Sequence, residues 1–353
     1  MKASVHSVLF DFAFEAGTSR GVLKQKTSWF ICLEHEGLCG WGECSPIEGL
    51  SPEPIAVIEA KIYTVLEEWL KCPEAILDVN SAWVDELMLW PSLRFAMETA
   101  FLDLKNGGRK LIFDTDFYNG KRSIPINGLV WMNTVEHMQA QIEDKIKQGF
   151  QCIKLKIGQH DFEQEFLLLK QLRQRFSKEQ LTIRVDANGA YSEEQVFVVL
   201  DALASLDVHS IEQPIKVGHF NFLAKLCKES PVAIALDEEL ITPLSNEEKV
   251  AFLKFIKPQY LVLKPSLHGG FMGCAEWINV ANQQKIDWWM TSYLESSIGL
   301  NAIAQFVSQY PSLSYQGLGT GQLYTSTIDS PLEVIDGNLC YRANKSWASP
   351  IAF

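Results

Sequence analysis

Ile153-Lys154-Leu155-Lys156-Ile157-Gly158 and, further along, Ile183-Arg184-Val185-Asp186-Ala187-Asn188-Gly189 are two short apolar runs that each end in charge. Strand alternation puts Lys154 and Lys156 on one face of the first run and Ile153, Leu155 and Ile157 on the other. Arg184, Asp186 and Asn188 share a face of the second run in the same way. Three more runs continue the pattern: SIEQP ends near Glu212, AIALDEE near Asp237 and LVLKPS near Lys264. From Lys156 to Asp186, Glu212, Asp237 and Lys264 the chain advances by a nearly constant step. The step is long enough for one strand, one helix and two short loops, the unit of a parallel βα barrel.

The series extends both ways. Upstream, IPING sets Asn127 at a strand end one such step before Lys156; downstream, WWMTSYLESS sets Ser292 one step after Lys264, and SYQGLGTG sets Gly319 one step beyond that. Eight strand ends at this interval predict an α/β fold built on a (β/α)8 TIM-like barrel. Residues 161–178, 192–205 and 219–229 carry apolar positions at helical spacing between the strands. Barrel active sites form at the C-terminal strand ends, where these charges fall. Amines and carboxylates aimed into a barrel are costly unless paired or bound to a metal.

Residues 1–105 read as a separate α+β capping domain. Residues 4–14 alternate as a strand, and 28–34 pairs with 38–44 through a turn at His35, Glu36 and Gly37. Helical patterns follow at 53–71, 81–89 and 92–106. GTSRGVLKQKTS (17–28) and WGECSPIEGLSPEP (41–54) have the make-up of mobile loops that close over a site. The division expected is 1–105 for the cap, 106–325 for the catalytic barrel, and 326–353 as a C-terminal segment with a hairpin at Asp336-Gly337 that packs back on the cap.

The chain has 353 residues and a net charge of −12 without any basic run, which argues against a nucleic-acid partner or an anionic membrane surface. No stretch has the length of a membrane span, and the N-terminus lacks the continuous apolar core of a signal peptide. Eight cysteines without a CxxC pair read as reduced, mostly buried thiols, so a cytoplasmic location is expected. Oligomeric state is not legible.

The ordered set of a Lys-x-Lys strand, an Asp-x-Asn strand, a Glu strand, an Asp-Glu strand and a lysine strand resembles the enolase superfamily, in its muconate-lactonising subgroup. The likeness spans the chain, including the GWGE element at 40–43 and the SLRFAMETAFLDL helix at 92–104. It implies that Asp186, Glu212 and Asp237 hold Mg²⁺, with Mn²⁺ as a possible substitute, since a hard cation wants an oxygen-rich set. The residue types alone also admit ion pairing of the three with Lys154, Lys156 and Lys264. Asn188 and Glu238 are expected to hold a ligand or a lysine in place. Lys156 is the expected base, assisted by Lys154, and Lys264 the group facing it across the mouth. A neutral lysine at pH 7 would cost roughly 4.6 kcal/mol without a shifted pKa, a reason for crowding two lysines together.

PINGLVWM (125–132), RVDANGAYS (184–192) and GLGTGQLY (317–324) resemble the o-succinylbenzoate synthases of that subgroup. That likeness implies a small carboxylate substrate, a dehydration that makes its ring aromatic, and a place in menaquinone biosynthesis. The Asp-x-Asp pair with which dipeptide epimerases hold an ammonium group is missing at the eighth strand. A racemase of N-acylamino acids, a dipeptide epimerase, and another sugar-acid dehydratase or cycloisomerase remain alternatives. Leu129, Trp131 and Leu318 are candidates to wall the ring, and Ser292, Glu295, Ser296 and Gly319 to orient the lysines or substrate.

Overall fold

Two long strands, β1 (Lys2–Thr18) and β2 (Gly21–His35), open the chain as an antiparallel hairpin, and β3 (Leu38–Cys44) joins β2 through the turn at Glu36 and Gly37. The structure, a computed structural model, describes every residue except 19–20, 160, 243–244, 312–313, 320–322 and 352–353; of residues 15–18 and 21–22 only the backbone is described. The polar stretch 17–28 is therefore strand over most of its described length, not loop, with residues 19–20 outside the described set. Its polarity misleads because Lys26 and Ser28 point inward, where partners from other elements meet them. Tertiary pairing overrides local composition here.

Trp29, Ile31 and Leu33 of β2 turn their side chains onto α1 (Ile58–Trp69) and α3 (Pro91–Lys105), which bury Ile62, Leu66, Trp69, Ala96 and Ala100 against them. The expected helix at 81–89 shrinks to one turn, α2 (Trp83–Glu86). Met88 and Leu89 are exposed, so the stretch has no continuous apolar stripe to extend it. Gly40 and Gly42 let β3 lie directly on α3: a Cβ at Gly42 would come 1.8 Å from the carbonyl oxygen of Ala96, and one at Gly40 2.2 Å from that of Ala100.

The barrel follows. Its parallel strands are β5 (Gly128–Val130), β6 (Cys152–Lys156), β7 (Thr182–Asp186), β8 (Ser210–Glu212), β9 (Ala233–Leu236), β10 (Tyr260–Leu263) and β11 (Asp287–Met290), in that spatial order; a very short strand, β4 (Ile124–Pro125), precedes them. Between and after them come α4 (Val135–Lys147), α5 (Phe162–Arg175), α6 (Val196–Ala204), α7 (Phe220–Glu229), α8 (Asn246–Ile256), α9 (Gly270–Gln283) and α10 (Ser297–Val307). Ile153, Leu155, Ile183, Val185 and Ile211 face these helices and form the main core with Leu169, Leu200 and Trp277. Arg184 plugs the barrel, its guanidinium 3.9 Å from the centre of the Trp289 ring and its Nη1 donating to Tyr315 O at 2.8 Å.

Among the described residues the eighth position is not a regular strand. Gln316 and Gly317 form single bridges to Ile126 and Thr291, closing the gap between β5 and β11. The Gln316 side chain helps: its Oε1 accepts from Met290 N at 2.7 Å and its Nε2 donates to Ser314 O at 2.7 Å. Asn127 also shifts from its expected place, because Leu129 pairs with Lys154 and Val130 with Leu155. In that register Trp131, not Asn127, stands level with Lys156 at the strand end. IPING held two breaks, Pro125 and Gly128, and the strand begins at the second.

The C-terminal hairpin, β12 (Leu332–Ile335) and β13 (Asn338–Tyr341), pairs with β4 and so seats beside the barrel entry rather than on the N-terminal sheet. Only its flanks reach the cap, where Ile328 and Trp347 pack with Phe10 and Phe12 of β1. Among the described residues no helix is long and apolar enough to cross a membrane. All eight cysteines are free.

Candidate active site

β6, β7 and β8 end level with one another, and Asp237 and Lys264 follow directly on the last residues of β9 and β10, so the charges meet in one mouth. Lys154, Lys156, Asp186, Asn188, Glu212, Asp237, Glu238, Lys264 and Ser292 line a single cavity of about 110 Å³. Lys156 and Asp186 are direct partners in the β6–β7 ladder, as are Asp186 and Glu212 between β7 and β8. Register thus sets the spacing of Lys156, Asp186 and Glu212.

Lys154 Nζ lies 2.7 Å from both carboxylate oxygens of Glu212 and 3.0 Å from Asp186 Oδ2. Burial works against its charge, but Asp186 and Glu212 outweigh burial and hold its pKa above the ordinary lysine value. Lys156 Nζ donates to Asn188 Oδ1 at 2.8 Å, stands 3.6 Å from Asp186 Oδ2 and lies 5.6 Å from the centre of the Trp131 ring. Asn188, in the left-handed region at φ 44°, passes the link on: its Nδ2 donates to Glu238 Oε1 at 2.9 Å. Lys264, just past the end of β10 on the far side of the mouth, pairs with Asp237 Oδ2.

The carboxylates differ sharply in state. Burial opposes the charge of Asp186, yet Lys154 and Lys156 prevail and keep its pKa below the usual range. Glu212 is pushed up to about 8, by burial first and then by Asp186. Glu238 is pushed up to about 7 by burial, Asp237 and Asp186. Asp237 Oδ1 and Glu238 Oε2 are buried and find no hydrogen-bond partner among the described residues. Such orphaned anionic oxygens cost free energy unless a cation or donor meets them.

Among the described residues, no three carboxylate, imidazole or thiol groups gather closely enough to enclose a metal ion as they stand; lysine ammoniums sit between them. The donor set nonetheless fits a hard divalent cation, being three carboxylates at or directly after the ends of three successive strands, with Asp237 Oδ1 unsatisfied among the described residues.

A second cavity, of about 370 Å³, opens from the first and shares Leu129, Trp131, Lys154, Thr291, Ser292 and Leu294 with it. Phe14 of β1, Asn127, Gly317, Gly319 and Leu323 extend its wall. GLGTGQLY therefore contributes Gly317, Gly319 and Leu323, while 320–322 lie outside the described residues. Leu318 is fully buried in the barrel core and lines neither cavity.

Glu295 and Ser296 stand apart from the lysines. Glu295 accepts from Ser266 Oγ, from Ser292 Oγ at 2.7 Å and from Tyr293 N at 2.6 Å, and Ser296 caps α10 while bonding Glu43 of β3. They belong to the cap–barrel junction, and a serine-glutamate motif on its own does not tell the two settings apart. Residues absent from the sequence reading are Ile47, Leu50, Ile241, Leu267 and Tyr293, which wall the small cavity. Ile47 and Leu50 lie in the turn-rich loop after β3, whose composition did point at the site.

A barrel whose strand ends present two opposed lysines around a carboxylate trio, under a cap that covers the mouth, is the arrangement of one superfamily. The family model described as enolase C-terminal domain-like matches residues 137–343, and the chain belongs to the enolase superfamily. Within it, the chain is 46% identical to the o-succinylbenzoate synthase of Desulfotalea psychrophila, over 93% of this chain and 95% of that protein. The crystal structure of MenC from the same organism superposes with a TM-score of 0.83 at 40% identity, covering 96% of this chain and 99% of that one. The L-Ala-D/L-Glu epimerase of Bacillus subtilis is 25% identical over 77% of this chain and 74% of its own.

Proposed function

We propose that this protein is an o-succinylbenzoate synthase that dehydrates a hydroxylated cyclohexadiene carboxylate carrying a succinyl chain. The observation that carries the reading is the pair of joined cavities: a charged mouth with lysines on opposite sides, and a larger, mainly apolar lobe walled by Leu129, Trp131, Phe14 and Leu323. A ring carboxylate suits the first and the rest of a carbocyclic substrate the second. The 46% identity to a relative of that activity supports it.

In the proposed mechanism Lys156 removes the proton beside the ring carboxylate. Asn188 Oδ1 accepts a hydrogen bond from Lys156 Nζ and so orients the amine, while the Trp131 ring limits its swing. The resulting enediolate carries negative charge, and Lys264 brings a cation to it from the opposite wall. Lys156 then returns the proton to the departing hydroxyl on the same face, releasing water and leaving the ring aromatic. Lys154 bridges Asp186 and Glu212 and keeps both carboxylates turned into the mouth. Mg²⁺, held by Asp186, Glu212 and Asp237, would supply further positive charge for the enediolate oxygens. The setting proposed is a cytoplasmic enzyme of menaquinone synthesis, with 1–105 as cap and 106–325 as catalytic barrel.

The opposed lysines also suit proton exchange on both faces of an α-carbon, which keeps N-acylamino acid racemisation as a second reading. An ultraviolet assay separates them. Metal-dependent loss of diene absorbance with formation of o-succinylbenzoate, abolished by EDTA, is the expected result. Absence of turnover in protein that binds Mg²⁺, together with deuterium uptake into an N-acylamino acid, would replace dehydration with racemisation.

A further inference from the structure

Lys26 is buried to 5% exposure on β2, and its ammonium donates to backbone carbonyls: Nζ lies 2.9 Å from Tyr293 O and 2.8 Å from Leu294 O. Among the described residues no carboxylate is in direct ion-pair contact with it; burial holds its pKa down at about 8, outweighing Glu295 and Glu43, which favour its charge from further off. A lysine so placed surrenders its hydration for two hydrogen bonds, which is expensive unless something is gained at the acceptors. The acceptors are unusual. Leu294 is held at φ 60°, a left-handed conformation that a branched side chain rarely takes. Its carbonyl accepts a second hydrogen bond, from the Tyr324 hydroxyl beyond the barrel's eighth position.

The strained turn leads straight to the mouth. The Tyr293 ring has Lys26 Nζ 5.7 Å from its centre and Lys264 Nζ 5.9 Å from it, so one aromatic ring is shared by a cap lysine and a mouth lysine. Ser51 of the cap loop donates to the Tyr293 hydroxyl at 3.3 Å. Leu294 and Tyr293 both wall the small cavity.

We propose that Lys26 is a positioning residue: by clamping the Tyr293–Leu294 turn from the N-terminal sheet, it fixes the Tyr293 ring that holds Lys264 in place across the mouth. Lys26 thereby acts on the reaction centre through backbone carbonyls, while lining neither cavity itself. The catalytic half of this inference rests on the dehydratase reading; the structural half does not.

The test uses Lys26→Met in the full chain, read by hydrogen exchange and by kinetics. Exchange of the amides at 291–297 is expected to rise at least tenfold while those of α1 stay unchanged. The dehydration kcat is expected to fall about tenfold, with a smaller change in KM, because Tyr293 adjoins Lys264 while Leu294 of the same turn also lines the substrate lobe. Unchanged exchange at 291–297, or a rate loss lying wholly in KM, overturns the proposal. Should Lys26→Met not fold, Tyr324→Phe removes the other donor to the same carbonyl at the cost of one hydroxyl. About threefold faster exchange at 291–297 and a two- to threefold lower kcat are then expected, and no change in either overturns the proposal. If wild type itself does not turn over the diene, the functional reading fails, while the exchange arm still decides the clamp.

Discussion

Two clusters of buried charge lie within the same molecule, and they are built on opposite terms. At the cap–barrel junction Glu43 accepts hydrogen bonds from Ser28 Oγ at 2.8 Å, from Ser296 N and Oγ, and from Gly299 N at 3.0 Å. Gly299 lets the carboxylate approach, since a Cβ there would stand 3.1 Å from Glu43 Oε2 and only 2.6 Å from Glu295 Cβ. At the mouth, by contrast, Asp237 Oδ1 and Glu238 Oε2 have no hydrogen-bond partner among the described residues, and burial with neighbouring carboxylates pushes Glu212 and Glu238 up. A saturated cluster contributes to holding two modules together. An undersaturated one stores unfavourable electrostatics that a cation or a reacting anion can relieve.

The contrast breaks most visibly at Lys156. Replacing it with alanine should lower kcat by at least about 10³-fold, about 4 kcal/mol of transition-state stabilisation, with the thermal midpoint nearly unchanged. A variant that keeps most of its activity would remove Lys156 as the base. The junction should answer in stability rather than rate. Glu43→Ala leaves several buried donors unpaired and should cost about 3 kcal/mol in a denaturant titration, whereas a loss under about 1 kcal/mol would mean that the junction is not saturated in the sense drawn here.

Asp237→Asn should weaken Mg²⁺ binding about 100-fold, about 2.7 kcal/mol, by isothermal calorimetry; equal affinity would return the trio to simple ion pairing. The finest test is pH. Glu238 is raised from 4.5 to about 7, so its folded form favours the proton. Its contribution to stability is present below pH 4.5 and is lost as pH rises through 7. In metal-free protein, Glu238→Gln should remove that decline and be more stable than wild type near pH 8, the two converging at acid pH. Parallel curves would place the strain elsewhere.

The mouth was legible because its information is local. Strand alternation sets which of Lys154, Lys156 and Asp186 face inward, and a repeat of one strand and one helix sets their order. What escaped depends on partners far away in sequence. Lys26 reads as loop material until its acceptors at Tyr293 and Leu294 are known. Trp131 and Asn127 exchange roles through a register that only the pairing with β6 defines. Glu295 and Ser296 stand in a stretch shared by mouth and junction, and only the arrival of Ser266 at the first and of Glu43 at the second assigns them. The hairpin at 332–341 was visible from Asp336-Gly337, but which sheet edge it would join was not, because a turn specifies its own strands and not their neighbour.

The barrel's eighth position carries one more consequence. Seven strands are laced by continuous ladders, whereas Gln316 and Gly317 close the circle by two bridges and one amide side chain. Mechanically this is a split ring with a clasp. Under force or heat the circle has one place where few bonds must break before it springs open, and Gly317 and Gly319 on the wall of the larger cavity sit beside that clasp. Gln316→Ala would loosen the hoop at a point next to the larger cavity, so the tightness of the ring and the shape of the chamber it encloses are set by the same few atoms.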